Sequence, residues 1–278
     1  MDFETPNHES KSLQCPWETS DSYFQLMCSC DSLILLRVYK RCAFGTTSCK
    51  SFVLWSPSIR SYKRIKCPYE LPYYANSGVC YDSTADDYRV LFVSQGNETS
   101  VVTYSLRNNS WNMVIDSRYY LYVSEHQAVV NGAVHWVMCS RELDTRVIVY
   151  FDLVEEKFKG VPPPSLWKKD DDMNLVVLGG FLCAYCDIGA KQQIEVYAMK
   201  EYGKKESWTR LFIIPRVIDD THLKPLCLTN KGQVLLSLWK MGIGIFDPED
   251  GAFLPFGSDY GLTAIPYVES LVSLDGGV

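Results

Sequence analysis

Long apolar runs, an excess of positive charge and a secretion leader are all missing from this 278-residue sequence. No apolar stretch approaches 18 residues, so no segment reads as a membrane-spanning helix. The balance of 27 basic against 33 acidic residues argues against a general nucleic-acid or anionic-membrane surface. Met1 to Asn7 carry acidic residues and no apolar core, which excludes a secretion signal there. The 11 cysteines are odd in number and scattered, a poor disulfide framework; they read as reduced thiols of a cytosolic or nuclear protein. On that reading the sequons Asn97-Glu98-Thr99 and Asn108-Asn109-Ser110 go unused. Glycine-rich phosphate loops are absent and histidines number only four. A chain of this size buries roughly three quarters of its unfolded surface, so packing alone can hold it together without a cofactor or metal.

What the sequence does contain is a repeat. An apolar run ending in an aromatic is followed by a short turn and a second aromatic, and the phrase occurs five times. The first aromatics are Trp55, Tyr104, Phe151, Tyr197 and Phe246, spaced 49, 47, 46 and 49 residues apart, the period of propeller blades. In four copies the partner follows seven residues later: Trp55/Tyr62, Tyr104/Trp111, Phe151/Phe158 and Phe246/Phe253. The remaining pair, Tyr197/Trp208, is stretched by four residues.

Each copy divides into four short runs rich in β-branched and aromatic residues and separated by turn residues, which is strand spacing. The second run is apolar almost throughout, as in Val90-Leu91-Phe92-Val93 and Ala133-Val134-His135-Trp136-Val137. Such a strand needs cover on both faces. The fourth run alternates, as in Ser110-Trp111-Asn112-Met113-Val114-Ile115, and suits an outer position. Tight turns such as Asp31-Ser32, Asn131-Gly132, Gly179-Gly180 and Lys231-Gly232 fit hairpins whose central residues take positive φ. The expected fold is all-β: a β-propeller of about six four-stranded blades. Residues Tyr267–Leu274 read as one more strand of a partial last blade, closed by the chain termini so that no sheet edge stays open. The segment 1–22 precedes a single propeller domain, 23–278.

Strands alternate in direction, so the first and third turns of every blade share one face. The second loops and interblade links share the other, where nearly all the length variation collects. Loops carried on a rigid scaffold are where recognition resides. On that rim the candidate protein-binding residues are Arg41, Phe44, Arg141, Arg146, Trp167, Lys191, Trp239 and Met241, because arginine, aromatics and methionine are enriched in interface cores.

Several phrases carry a family resemblance. Val196-Tyr197-Ala198-Met199-Lys200-Glu201-Tyr202-Gly203 followed by Glu206-Ser207-Trp208-Thr209 resembles the plant F-box-associated domain of F-box/kelch-repeat proteins. Leu54-Trp55-Ser56-Pro57-Ser58-Ile59-Arg60, Asp86-Asp87-Tyr88-Arg89-Val90 and Val130-Asn131-Gly132-Ala133-Val134-His135-Trp136 are similar to the family's phrases in the same order, and Tyr267-Val268-Glu269-Ser270-Leu271-Val272 to its last strand. Pollen S-locus F-box proteins are similar too. The resemblance implies the substrate-binding domain of an SCF ubiquitin-ligase receptor, whose partners are a target protein destined for ubiquitination and, where an F-box is present upstream, the Skp adaptor. Met1–Ser22 contains no helical F-box pattern, so the sequence reads as a fragment of a longer receptor or as an adaptorless decoy binder.

Candidate chemistry is sparse. Cys183 and Cys186 have metal-ligand spacing, but on a strand residues three apart face opposite ways and cannot share an ion. His135, between Val134 and Trp136, reads as a satisfied core histidine. Asp170-Asp171-Asp172 after Lys168-Lys169 reads as a solvated loop, and Tyr62-Lys63-Arg64-Ile65-Lys66 as an outer strand blunted by lysine. The rival reading, a kelch-type propeller enzyme, would need acids or histidines converging on the axis, with Glu125 and His126 as its candidates. Catalytic and metal-binding residues are therefore not expected.

Overall fold

The structure, a computed structural model, describes residues 22–41, 47–69, 71–72, 75–121, 127–165, 167, 172–188, 192–215, 223–238, 242–256, 264–271 and 274. They form five antiparallel sheets, each hydrogen-bonded in chain order along its main path. The first holds β1 (Ser22–Cys30), β2 (Leu33–Arg41), β3 (Thr47–Ser56) and β4 (Ser61–Ile65). The second holds β5 (Asn76–Asp82), β6 (Asp87–Gln95), β7 (Thr99–Ser105) and β8 (Ser110–Ile115). In the third, a short β9 (Tyr119–Leu121) accompanies β10 (Ala128–Val130), β11 (Ala133–Ser140), β12 (Thr145–Asp152) and β13 (Lys157–Val161). The fourth holds β14 (Met173–Leu178), β15 (Phe181–Ile188), β16 (Gln193–Met199) and β17 (Trp208–Pro215), and the fifth β18 (Lys224–Leu228), β19 (Val234–Leu238), β20 (Gly242–Phe246) and β21 (Phe253–Phe256).

Apolar side chains fill the seams between consecutive sheets. Leu33, Leu35, Phe52 and Leu54 of the first sheet meet Val79, Val90, Phe92 and Val102 of the second. Leu91, Val93 and Val101 meet Val134, Trp136 and Met138 at the next seam. Val137 and Ile148 then meet Leu175, Leu182 and Ala184, and Cys183, Tyr185 and Val196 meet Val234, Leu236 and Phe246. Successive residues of β15 thus enter different seams, which is why the second runs are apolar on both faces. The outer strands are the more exposed ones, β8 being exposed or half-buried along its whole length.

The structure has five blades where the sequence length suggested six. Among the described residues Tyr267–Leu271 joins no sheet. The five sheets take up all five copies of the repeat, and no described strand pairs with the run after them. Pro266 also removes a backbone donor at the start of the run. The segment nevertheless packs on the first sheet. Val268 N–H donates to the Asp31 carbonyl at 3.1 Å, and the Ser29 hydroxyl donates to the Pro266 carbonyl.

Four aromatic pairs stand directly opposite one another: Trp55/Tyr62, Tyr104/Trp111, Phe151/Phe158 and Phe246/Phe253. The stretched copy does not follow. A bulge after Val196 and a 3-10 turn at Lys205–Ser207 put Trp208 across from Met199, and Tyr197 across from Arg210. Turn chemistry agrees with the sequence: Asp31, Asn131, Gly132, Gly179 and Gly180 all take positive φ.

One seam is tight enough to test. A Cβ on Gly78 of β5 would lie 2.4 Å from Cγ1 of Val134. Val134 is fully buried and β-branched, so it has no free rotamer to escape into. Gly78→Ala should cost about 1–3 kcal/mol of stability in urea denaturation, and Val134→Ala in the same chain should recover part of it. A neutral Gly78→Ala would show that blades 2 and 3 are spaced more loosely than this.

Candidate functional site

The rim opposite the tight turns is built by the β6–β7 and β11–β12 loops and by the interblade links. Its best-defined stretch lies where blade 2 hands over to blade 3. Asp116, directly after β8, is largely buried and accepts hydrogen bonds from Arg118 N–H at 3.2 Å, Arg118 Nε at 2.9 Å and Phe158 N–H at 3.3 Å. Burial alone would raise this carboxyl, but Arg118 and the two backbone donors hold it below the usual range. The clamp fixes the course of the link. Thr99 Oγ1 donates to the Tyr119 carbonyl at 2.5 Å and Leu121 N–H to Gln95 Oε1 at 3.2 Å, so the end of blade 2 holds β9 against β11.

On this platform the Arg141 guanidinium lies 5.4 Å from the Tyr120 ring centroid, and Arg141 N–H donates to the Arg118 carbonyl at 3.0 Å. Arg118 lies over Tyr119 at 5.5 Å. The turn after β11 is closed by Leu143 N–H on Ser140 Oγ at 3.2 Å, which leaves the Leu143 side chain 62% exposed. Arg146, at the start of β12, pairs with Asp172 of the next link at 3.6 Å.

Three of the eight rim candidates are thus placed. Arg141 is exposed, Arg146 is half-buried in an ion pair, and Trp167 is a seam residue more than a surface anchor. Its ring stands edge-on to Tyr197 at 5.9 Å and packs against the apolar cluster between blades 3 and 4. Only the backbone of Arg41, at the end of β2, is described; Phe44, Lys191, Trp239 and Met241 lie outside the described residues, as do Glu125 and His126. Sequence reasoning missed Tyr120 and Leu143. The aromatic run Tyr119-Tyr120-Leu121 was the available strand signal.

Elsewhere the chemistry is structural. His135 is fully buried: its Nδ1 lies 3.1 Å from the Ala133 carbonyl and 3.3 Å from that of Ala128, and its Nε2 lies 2.7 Å from the Tyr202 hydroxyl. Cys183 and Cys186 are both buried on β15, and burial pushes the Cys183 thiol up to about 12. Among the described residues no cluster of three or more His, Cys, Asp or Glu side chains has metal-holding geometry, and no helix is long and apolar enough to cross a membrane.

Residues 3–238 match the family described as the F-box associated beta propeller domain. The chain belongs to that family. It is 30% identical over 207 residues to the F-box protein CPR1 of Arabidopsis thaliana, covering 63% of this chain and 50% of that protein. It is 26% identical over 242 residues to the F-box/kelch-repeat protein At3g23880 of Arabidopsis thaliana, covering 83% of this chain and 63% of that one. The chain therefore spans about half to two thirds of the length of these relatives. Among solved structures, that of YjhT superposes with a TM-score of 0.52 at 10% identity, covering 87% of this chain and 85% of the other. That likeness concerns the fold alone.

Proposed function

We propose that this F-box-associated propeller, residues 23–278, is a noncatalytic protein-recognition module that holds a target protein for an SCF-type ubiquitin ligase in the cytosol or nucleus. Family membership supports a receptor role, and the observation that carries the choice of surface is the exposed Arg141 stacked on Tyr120 beside Leu143. Arginine and tyrosine at the centre of an interface are the residue types that dominate binding energy. The β9 ladder and the Asp116 clamp hold this patch rigid before binding, which lowers the ordering cost of association. Arg41, Phe44, Arg146, Trp167, Lys191, Trp239 and Met241 belong to the same rim in this reading, with Trp167 acting through its seam contacts.

The test is affinity capture of a target from plant extract. Arg141→Ala combined with Leu143→Ala should cut recovery of the captured target about tenfold or more, while Val154→Ala on the opposite face should leave it unchanged. Equal recovery from all three proteins would remove the rim assignment. An F-box placed upstream of this domain would bring the Skp adaptor into the complex. Co-purification of the Skp adaptor with this chain would favour a receptor, and capture of target without adaptor a decoy.

A further inference from the structure

Each blade ends on an outer strand, and the edge of such a strand is a template on which another strand can form. Four of the five outer strands are blunted. β4 carries Lys63 and Arg64, β13 carries Lys157 and Lys159, β17 carries Arg210, and β21 carries Pro255. Charge and proline at these places repel or interrupt an added strand. β8, Ser110-Trp111-Asn112-Met113-Val114-Ile115, has neither. It also reaches solvent with apolar side chains, Met113 being 44% and Ile115 56% exposed.

One bond fixes which backbone groups of β8 point away from the blade. Asp116 N–H, directly after the strand, donates inward to the Thr99 carbonyl of β7 at 3.0 Å. Alternate residues of an antiparallel ladder turn their peptide groups the same way. Ser110, Asn112 and Val114 therefore face β7, while Trp111, Met113 and Ile115 turn N–H and carbonyl outward. The side chains of these three share one sheet face. Trp111 anchors that face from within, its ring 4.8 Å from Tyr104 and 6.2 Å from Phe92, and Met113 and Ile115 continue it into solvent. On the other face Asn112 Nδ2 donates to Glu156 Oε1 of blade 3 at 2.6 Å, which braces the strand.

We propose that β8 pairs with β8 of a second copy of this chain, antiparallel about a two-fold axis at Met113, so that two four-stranded sheets join edge to edge. In this register Met113 stands opposite its own copy and Trp111 opposite Ile115. Outward groups then meet outward groups, closing about six backbone hydrogen bonds. Charge selects a second copy over an unrelated strand. A two-fold interface brings each residue close to its own copy, so a strand bearing lysine or arginine repels itself and an uncharged one does not. A charged foreign strand, by contrast, finds no counter-charge on β8. The convex perimeter of a propeller leaves room for the approach. A strand of six residues makes an interface at the low end of the specific range, so pairing is reversible, with a dissociation constant on the order of 10–100 µM. It stands whether or not the loop-rich rim binds a target.

Sedimentation velocity of the 278-residue chain over a concentration series tests this. The wild type should shift reversibly from monomer to dimer as concentration rises. Met113→Lys and, separately, Ile115→Lys place like charges across the two-fold axis and should weaken association about tenfold or more. Leu254→Lys, at an equally exposed apolar position on β21, should leave the dimer intact. Both β8 positions are solvent-exposed, and unchanged thermal melting of each variant confirms that folding is not the cause. Hydrogen exchange identifies the strand: amides of Met113 and Ile115 should gain protection as the dimer fills, while that of Val114, already bonded to β7, should not change. A chain that stays monomeric at about ten times the expected dissociation constant would overturn the proposal. So would a dimer that both lysine variants leave unaltered, since it would use another surface. A monomeric chain whose β8 lysine variants lose target in the capture experiment would give the edge to the target and refute self-pairing.

Discussion

Asp87→Ala should be among the most damaging single substitutions in this protein, costing about 3–5 kcal/mol in urea denaturation. The carboxylate is 4% exposed at the start of β6. One oxygen accepts Arg107 N–H at 2.8 Å, and the other accepts the Ser105 hydroxyl at 2.6 Å and lies 3.2 Å from Arg89 Nε. Ser105 in turn takes Asn108 N–H at 3.1 Å, so one acid organises the β7–β8 turn from across the sheet. Alanine leaves a buried hydroxyl without its acceptor and Arg89 with only Asp82, 3.8 Å away. Removing one member of a buried charged network costs more than the network contributes as a whole, because the partners keep their desolvation penalty. Neighbouring Asp86 is the internal control. It is exposed and bound by Tyr81 and Arg107 at the surface, and its replacement should cost much less. Equal effects at the two positions would show that the network is not what holds the turn.

The same pair of acids shows how far the sequence could be read. Asp86-Asp87-Tyr88-Arg89-Val90 was recognisable as a family phrase, but not which acid is buried, because that depends on Ser105 of β7 and on Arg107 in the turn after it. Strand order and the five-fold period were legible because they are local: continuous apolar runs, alternation and positive-φ turn residues repeat within each copy. The count of six was an extrapolation from length, whereas the structure forms one sheet for each of the five copies. Trp208 was misassigned to Tyr197 because four extra residues are absorbed by a bulge and a turn, neither of which has a fixed signature. At the rim, the sequence placed Trp167 in a loop and gave no sign that it would be half-buried. Its cover comes from Tyr197, 30 residues away, and no local pattern reports that. Arg141 was found by residue type, while the ring that makes it a fixed feature, Tyr120, depends on the β9–β11 pairing.

Acidification should weaken the fold through His135 well before the carboxylates protonate. The imidazole is completely buried, and burial lowers its proton affinity from the ordinary value near 6.5 to about 4, although the carbonyls of Ala128 and Ala133 pull the other way. Those carbonyls require Nδ1 to carry the hydrogen, which leaves Nε2 as the acceptor for the Tyr202 hydroxyl. A proton on Nε2 would remove that acceptor and place a charge among Tyr150, Tyr202 and the blade core. The unfolded chain takes up this proton below about pH 6.5 and the folded chain does not. The stabilisation is therefore complete above pH 6.5 and is lost as pH falls towards 4. At about 1.4 kcal/mol per pH unit, the loss is about 2 kcal/mol by pH 5 and on the order of 3 kcal/mol in all. Aspartates such as Asp116 and Asp152, held below their usual range, lose their contribution only at lower pH, so the window from 6.5 to 5 lies above them. Urea midpoints at pH 7.5 and 5.0 for the wild type and for His135→Gln supply the measurement. The variant should start less stable, having lost a buried bond to Tyr202, yet fall less between the two pH values. Parallel losses in the two proteins would mean that His135 is not the group that couples this fold to protons.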